Sequence, residues 1–170
     1  LDFERLPELE GEIKIAGIGV GSRVLVIGCG ALSLSSLSFA IAGAEVMMID
    51  RDAEAVAASC FAVSRLTERV RGRISARRVD GRDLQIDDFV PTHVFVAAMV
   101  DPKPAVLRQV SNECRRLELS PKFLVRAPQS DTTQLLYAPL KADALDGFTI
   151  ETVLPAPDGT TTSVLMALAA

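Results

Sequence analysis

A glycine pair, Gly28 and Gly30, directly follows a short apolar run and constrains the fold more than any other feature of this sequence. Residues 23–28 are rich in β-branched side chains and bounded by glycines, which predicts a buried strand. The apolar stretch 32–42 comes next, ends at Gly43 and predicts a helix. A strand that passes into a helix through glycines is typical of loops that hold a nucleotide-type cofactor.

Strand and helix signals alternate along the rest of the chain. Further strands are predicted at 45–50, 73–79, 93–98 and 122–127, and further helices at 52–69 and 101–117. The last two strands, 148–153 and 161–168, flank a turn rich in proline and predict an antiparallel hairpin. Five βα units followed by this hairpin predict an α/β fold: a doubly wound, mostly parallel Rossmann-like sheet of the methyltransferase type with a C-terminal antiparallel hairpin.

The first twenty residues do not join this alternation. Residues 1–12 are acidic and interrupted by Pro7, and four glycines between positions 11 and 21 predict a flexible approach to the first strand. We therefore interpret 1–20 as a linker or as the tail of a missing N-terminal helical domain. Residues 21–170 form one cofactor-binding domain on this interpretation.

Composition and charge narrow the class of protein. Of the 170 residues, 49% are hydrophobic and 24% are charged, which is the composition of a globular domain. No apolar run reaches the roughly 18 residues that span a bilayer, so no membrane contact is expected. Three scattered cysteines and no visible signal peptide favour a cytoplasmic protein.

Nucleic acid and metal ions are not expected as ligands. The net charge of −4 disfavours a general nucleic-acid binder, although the arginines between positions 65 and 82 are either a solvated surface or a basic face for an anionic partner. His93 is the only histidine and has no ligand-type neighbour at metal-binding spacing.

The apolar helix around 53–63 packs on the sheet or, alternatively, forms a domain or homodimer contact.

The predicted cofactor site lies where the carboxyl ends of the parallel strands meet. Asp50 follows Gly30 by twenty residues, at the end of the second strand, where an acidic side chain accepts hydrogen bonds from ribose hydroxyls. Asp80 follows the third strand, where such folds bond an adenine amino group. The alternatives are a helix N-cap for Asp50 and a turn for Asp80. The residues predicted to bind the cofactor are Gly28, Cys29, Gly30, Ala31, Leu32, Ser33, Asp50, Arg51, Asp80, Gly81, Ala97, Ala98 and Met99.

The loop itself indicates which cofactor is bound. Ser33 stands where the dinucleotide fingerprint has its third glycine, which disfavours a nicotinamide dehydrogenase. The order Gly28-Cys29-Gly30-Ala31-Leu32 follows instead the G-x-G-x-L form that is usual for binders of S-adenosylmethionine. The Asn/Asp-Pro-Pro-aromatic motif of enzymes that methylate bases is missing after the fourth strand, and aromatic residues make up only 5% of the chain.

The sequence resembles a specific family, the nicotianamine synthases and related opine-metallophore synthases, in their C-terminal Rossmann-like domain. The resemblance spans about residues 22–168. It is carried by the stretches RVLVIGCGALSLS (23–35), VFVAAMVDPK (94–103), LVR (124–126), LLYAP (135–139), GF (147–148) and TTSV (161–164). The LVR and LLYAP segments lie outside what all cofactor-binding Rossmann folds share.

This resemblance implies a transferase that uses S-adenosylmethionine as a source of aminobutyrate. A small-molecule amine or amino acid attacks the methylene carbon next to sulfur, and methylthioadenosine leaves. Positioning supplies most of the effect. Arg126 is the candidate carboxylate clamp and Tyr137 orients the aminobutyrate or the acceptor, with a surface arginine and a core tyrosine as the alternatives. The resemblance also implies a role in metallophore biosynthesis, and no catalytic base is identified.

Two departures from the family's pattern bear on function. The family carries prolines where this chain has Ala31 and Ser33. Family members also have an N-terminal helical domain over the active site, so we expect that domain in cis or in trans. A small-molecule methyltransferase and a non-catalytic cofactor-binding module are the alternative functions.

Overall fold

A seven-stranded sheet in the order β3-β2-β1-β4-β5-β7-β6 forms the centre of the protein. The structure, a computed structural model, describes residues 7–130, 132–135, 139–140 and 144–169. The strands are β1 (Arg23–Ile27), β2 (Glu45–Asp50), β3 (Ile74–Arg78), β4 (His93–Val96), β5 (Lys122–Pro128), β6 (Phe148–Pro155) and β7 (Thr161–Leu168). The first five strands pair in parallel, and β7 pairs antiparallel with both β5 and β6. The predicted fold class and its terminal hairpin are confirmed.

Helices cover both faces of the sheet. They are α1 (Pro7–Ala16), α2 (Leu34–Ile41), α3 (Ala53–Ser64), α4 (Glu68–Arg71) and α5 (Lys103–Arg116). On one face α1 and α2 pack on a cluster that includes Phe95, while α5 packs on the opposite face with Phe123. Both faces are apolar because the parallel strands are buried on both sides. No helix in the described part of the chain is long and apolar enough to cross a membrane.

The structure differs from the predicted elements at several places. The helix expected over 52–69 ends at Ser64, where Arg65 closes a tight turn and Thr67 is extended before α4 begins. The strand expected over 93–98 ends at Val96, because the chain turns there and the N–H of Val100 donates to the carbonyl of Ala97. The segment 79–92 joins β3 to β4 without a helix, so the prediction of five βα units is wrong at that crossover.

The first helix docks against the sheet where the sequence predicts a flexible segment. Gly11 lies inside α1, and a Cβ atom there would come within 2.9 Å of Leu154 Cδ2 on β6. At the end of α1, the carbonyl of Ala16 accepts hydrogen bonds from His93 Nε2 at 3.1 Å and Lys122 Nζ at 3.4 Å. Residues 11–16, which belong to the stretch predicted to be a flexible approach, are helical and packed in the structure. The assignment of 1–20 to a linker or the tail of another domain remains a prediction.

An ion pair ties α1 to the middle of the sheet. Glu12 is only 2% exposed, and its two carboxylate oxygens each accept a hydrogen bond at 2.7 Å from Nε and Nη2 of Arg126 on β5. Ser163 on β7 donates a third hydrogen bond to Glu12 Oε1. A buried carboxylate is tolerated only when it is paired in this way, so the contact fixes α1 in place.

Replacing Glu12 by glutamine is expected to lower the free energy of unfolding by about 2 kcal/mol, because an amide nitrogen would face the Arg126 donors. Urea denaturation measures the change. The matched control is Lys14→Gln, which removes a charge at an exposed position of the same helix, where a change within about 0.5 kcal/mol is expected. Equal stability of the two variants would contradict the structural role of the ion pair.

Candidate functional site

A cleft of about 510 Å³ opens at the carboxyl ends of the parallel strands. It lies where the chain, having built β2 and β3 on one side of β1, crosses to β4 on the other side. Such a switch point is where open α/β sheets bind their ligands. The predicted site residues that line the cleft are Gly28, Cys29, Gly30, Leu32, Asp50, Arg51, Asp80, Gly81, Ala97, Ala98 and Met99.

The glycine loop forms the floor of the cleft. The N–H groups of Gly28 and Cys29 both donate to the carbonyl of Ile49 on β2, at 2.9 and 3.2 Å. Gly28 has φ +79°, and a Cβ atom there would lie 2.4 Å from Val100 Cγ2. Gly30 has φ +62°, and a Cβ atom there would meet nothing within 4 Å. Gly28 thus permits close packing of the loop, and Gly30 leaves open space beside it.

Two predicted cofactor contacts, Ala31 and Ser33, are not among the residues that line the cleft. Ser33 is the N-cap of α2, where its Oγ accepts a hydrogen bond from the N–H of Ser36 at 3.3 Å. The helix therefore begins at Leu34, two residues later than predicted. The hydroxyl of Ser33 thus caps the helix end, and its contact with a cofactor stays a prediction.

Asp50 stands at the end of β2 and holds the loop from the side. Its Oδ2 accepts a hydrogen bond from the N–H of Gly30 at 2.9 Å, and its Oδ1 accepts one from the N–H of Asp52 at 3.0 Å. Asp52 is the N-cap of α3, as predicted, because its Oδ1 accepts a hydrogen bond from the N–H of Glu54 at 2.9 Å. The alternative role of Asp50 as the cap of that helix is therefore wrong. Each oxygen of the Asp50 carboxylate keeps one acceptor position for a ligand.

Asp80 follows β3 and is paired with Arg82. Its Oδ1 accepts hydrogen bonds from the backbone N–H and Nε of Arg82, at 2.9 and 3.0 Å, and its Oδ2 accepts one from Nη2 at 2.7 Å. These bonds lower the pKa of the Asp80 carboxyl to about 2. The turn predicted as an alternative is thus formed. Only Oδ2 keeps an acceptor position toward the cleft.

The segment after β4 forms the opposite wall. Lys103, a fully buried residue at the start of α5, donates hydrogen bonds to the carbonyls of Ala98 and Val100, the second at 3.1 Å. Burial lowers the pKa of the Lys103 ammonium to about 8. At the mouth of the cleft, the side chains of Met99 and Leu32 are 76% and 61% exposed. The buried ammonium group of Lys103 therefore fixes this wall of the cleft, and the rim of the cleft is apolar.

Two residues that support the cleft are missing from the sequence-based prediction. Lys103 occurs in the stretch that carries the family resemblance, but nothing in its spacing marks it as buried. Ser59 lies in the middle of α3 and donates a hydrogen bond to the carbonyl of Gly30 at 2.6 Å. The available sequence signal for Ser59 is a polar residue in the middle of an alanine-rich helix.

Arg126, one of the two predicted substrate contacts, is not among the residues that line this cleft. Arg126 lines a separate small pocket of about 70 Å³ together with Glu12 and Ser163. The Nε–Nη2 edge of its guanidinium, one of the two edges that can bind a carboxylate through two hydrogen bonds, is occupied by Glu12. Tyr137 lies outside the described residues. Across the described ranges, no group of three or more His, Cys, Asp or Glu side chains is arranged to hold a metal ion.

Comparison with known sequences identifies two relatives with the same name. The chain is 30% identical over 146 residues to L-histidine 2-aminobutanoyltransferase of Pseudomonas aeruginosa PAO1, a match that covers 85% of this chain and 53% of that enzyme. The enzyme of the same name from strain UCBPP-PA14 is 32% identical over 120 residues, which covers 65% of this chain and 41% of that enzyme. The chain thus spans about half the length of the curated relatives it matches. No family model matches the sequence.

Comparison with solved structures extends the likeness to the fold. A mutant of MtNAS in complex with S-adenosylmethionine has a TM-score of 0.78 and 22% identity, and the match covers 95% of this chain and 60% of that one. MtNAS in complex with MTA and tNA has a TM-score of 0.77 and 23% identity, with coverages of 95% and 59%. The glycopeptide N-methyltransferase MtfA has a TM-score of 0.73 and 16% identity, with coverages of 96% and 89%. At these identities the likeness shows a shared fold.

Proposed function

We propose that this chain, which is similar to nicotianamine synthases as its sequence predicts, is the S-adenosylmethionine-binding part of an aminobutyrate-transferring enzyme. The observation that carries the proposal is the switch-point cleft, in which the Gly28–Gly30 loop and Asp50 meet. Its sequence relatives are named aminobutanoyltransferases, and structural neighbours hold S-adenosylmethionine.

The residues of the cleft are suited to S-adenosylmethionine. Gly30 leaves open space beside the loop, Asp50 offers two acceptor positions for ribose hydroxyls, and Asp80 offers one for an amino group. The charged side chains that line the cleft are Asp50, Asp52, Asp80, Asp101 and Arg51. This excess of carboxylates favours a ligand that carries a cationic sulfonium.

In the proposed reaction, S-adenosylmethionine supplies a carbon chain that is already activated by its positive sulfur. The lone pair of an amine forms the new C–N bond, the C–S bond breaks with its electrons passing to sulfur, and methylthioadenosine is released. The amine loses one proton to a base outside the residues identified above. The contribution of this chain is to bind and orient the carbon chain, which is where most of the rate effect arises.

The name of the relatives suggests an amino-acid acceptor, with L-histidine the first candidate to test. We propose that a second domain or chain completes the site, since the relatives extend well beyond the matched part. Arg126 would then contact a carboxylate through Nη1, the guanidinium nitrogen that Glu12 does not engage.

The proposal also includes a role in metallophore biosynthesis, a cytoplasmic location and a homodimer. It assigns no role to a metal ion or to nucleic acid.

The products formed from S-adenosylmethionine and L-histidine test the proposed reaction. We expect the protein that contains this chain to release methylthioadenosine together with a histidine that carries a 3-amino-3-carboxypropyl group on nitrogen, both measured by liquid chromatography and mass spectrometry. Release of S-adenosylhomocysteine instead would establish the second candidate, a small-molecule methyltransferase, which the likeness to MtfA along 96% of the chain favours. Tight binding without any product would identify a non-catalytic module.

A further inference from the structure

Helix α3 buries one residue, and that residue is a serine. All twelve residues of α3 are described, and Ser59, at 1% exposure, is the single buried one. The rest of the helix is exposed or half-buried and contains five alanines. Alanine is the stronger helix former and avoids the desolvation of a hydroxyl, so packing and helix propensity do not explain a serine at this position.

The hydroxyl of Ser59 is used on the glycine loop. It donates to the carbonyl of Gly30 at 2.6 Å, while Cys29 Sγ lies farther away at 3.9 Å. On the other side of the same residue, the N–H of Gly30 donates to Asp50 Oδ2 at 2.9 Å. The N–H and the carbonyl of Gly30 are therefore both held, one by Asp50 and the other by Ser59.

This arrangement matters because Gly30 adopts φ +62° and lies beside open space. A glycine without these two bonds has many accessible conformations, since no Cβ atom restricts it. The same helix is also coupled to Asp50 at its first turn, through the N–H of its N-cap, Asp52. Helix α3 thus contacts the Gly30–Asp50 pair at two points, one of them through a buried hydroxyl.

We propose that Ser59 is a positioning residue of the cosubstrate site, which fixes the Gly30 carbonyl so that the loop and the Asp50 carboxylate are held in the geometry that binds S-adenosylmethionine. The inference rests on the proposed function. Ser59 does not line the cleft and acts through Gly30. Preorganisation of this kind improves affinity because less of the binding free energy is spent on ordering the loop.

Ser59→Ala is expected to weaken S-adenosylmethionine binding by about fivefold to tenfold, the loss that corresponds to one net hydrogen bond. Isothermal titration calorimetry on the 170-residue chain measures the dissociation constant. In the free protein we expect hydrogen exchange of the Gly30 amide to accelerate by a similar factor, while exchange at the Gly28 amide, bonded to Ile49, stays unchanged. A residue that only stabilises the fold would not produce this difference between neighbouring amides.

Three further variants complete the test. Ser59→Thr keeps the hydroxyl, and a cavity of about 50 Å³ beside Ser59 leaves room for the added methyl group, so wild-type affinity is expected. Ser59→Cys keeps the size but donates weakly, and should lose affinity as Ser59→Ala does. Ser64→Ala removes an exposed hydroxyl of the same helix, bonded to the carbonyl of Phe61, and should change nothing.

The outcomes distinguish failure of the positioning role of Ser59 from failure of the proposed function. Wild-type affinity in both Ser59→Ala and Ser59→Cys, or failure of Ser59→Thr to restore binding, would overturn the positioning role while leaving the proposed function intact. If the unaltered chain does not bind S-adenosylmethionine, the proposed function fails for this chain. The exchange rate of the Gly30 amide then still decides whether Ser59 holds the loop.

Discussion

Replacing Gly28 by alanine is expected to lower the free energy of unfolding by about 2–4 kcal/mol, the sum of left-handed backbone strain and overpacking. The backbone at Gly28 has φ +79°, and the new methyl group would lie 2.4 Å from Val100 Cγ2. Relief of that contact would displace Val100, which lines the cleft. We therefore expect binding of S-adenosylmethionine to be lost together with stability, as measured by urea denaturation and calorimetry.

Gly21→Ala is the matched control for this substitution. Gly21 also has positive φ, +87°, but a Cβ atom there would meet nothing within 4 Å, and it does not line the cleft. The variant reproduces the backbone strain without the collision, so a loss of about 1 kcal/mol and unchanged ligand binding are expected. If the two variants lose equal stability, close packing of the loop against Val100 is not the reason for a glycine at position 28.

Replacing Asp50 by asparagine is expected to weaken S-adenosylmethionine binding at least about 100-fold. The two oxygens of Asp50 accept hydrogen bonds from the N–H groups of Gly30 and Asp52. An asparagine side chain has one oxygen, so its NH₂ group would face one of these donors, and the loop would shift. The ribose hydroxyls would also lose a charged acceptor, which contributes about 1.5–3 kcal/mol for each bond.

The control for Asp50→Asn is Asp88→Asn. This substitution changes the net charge by the same amount at an exposed position outside the cleft, so affinity close to that of the unaltered chain is expected. Calorimetric titration of both variants gives the comparison. Equal weakening by the two substitutions would mean that general electrostatic attraction, and not the placement of Asp50, determines affinity.

The local part of the candidate site follows from the sequence. Eleven of the thirteen predicted cofactor contacts line one cleft, because each lies at the carboxyl end of a strand and parallel strands bring those ends to one edge. Ser33 does not line the cleft, and the reason is also local. The first turn of α2 needs a hydrogen-bond acceptor, and the hydroxyl of Ser33 provides it.

Long-range partners could not be predicted in the same way. Arg126 was predicted to bind a substrate carboxylate, yet its partner is Glu12, 114 positions away in the segment interpreted as a linker or the tail of another domain. Ser59 and Gly30 are 29 positions apart, and no periodicity relates them. Which donor meets which acceptor depends on how α1 and α3 pack on the sheet.

The sequence by itself determined the order of the strands along the chain, the glycine loop and the position of Asp50, because these depend on local periodicity, turn chemistry and the residue types that each requires. Only the tertiary structure decided that α1 docks through Glu12, that α3 ends at Ser64, and that Ser59 holds the carbonyl of Gly30. Buried polar groups must find partners wherever packing places them, and packing is a property of the whole chain.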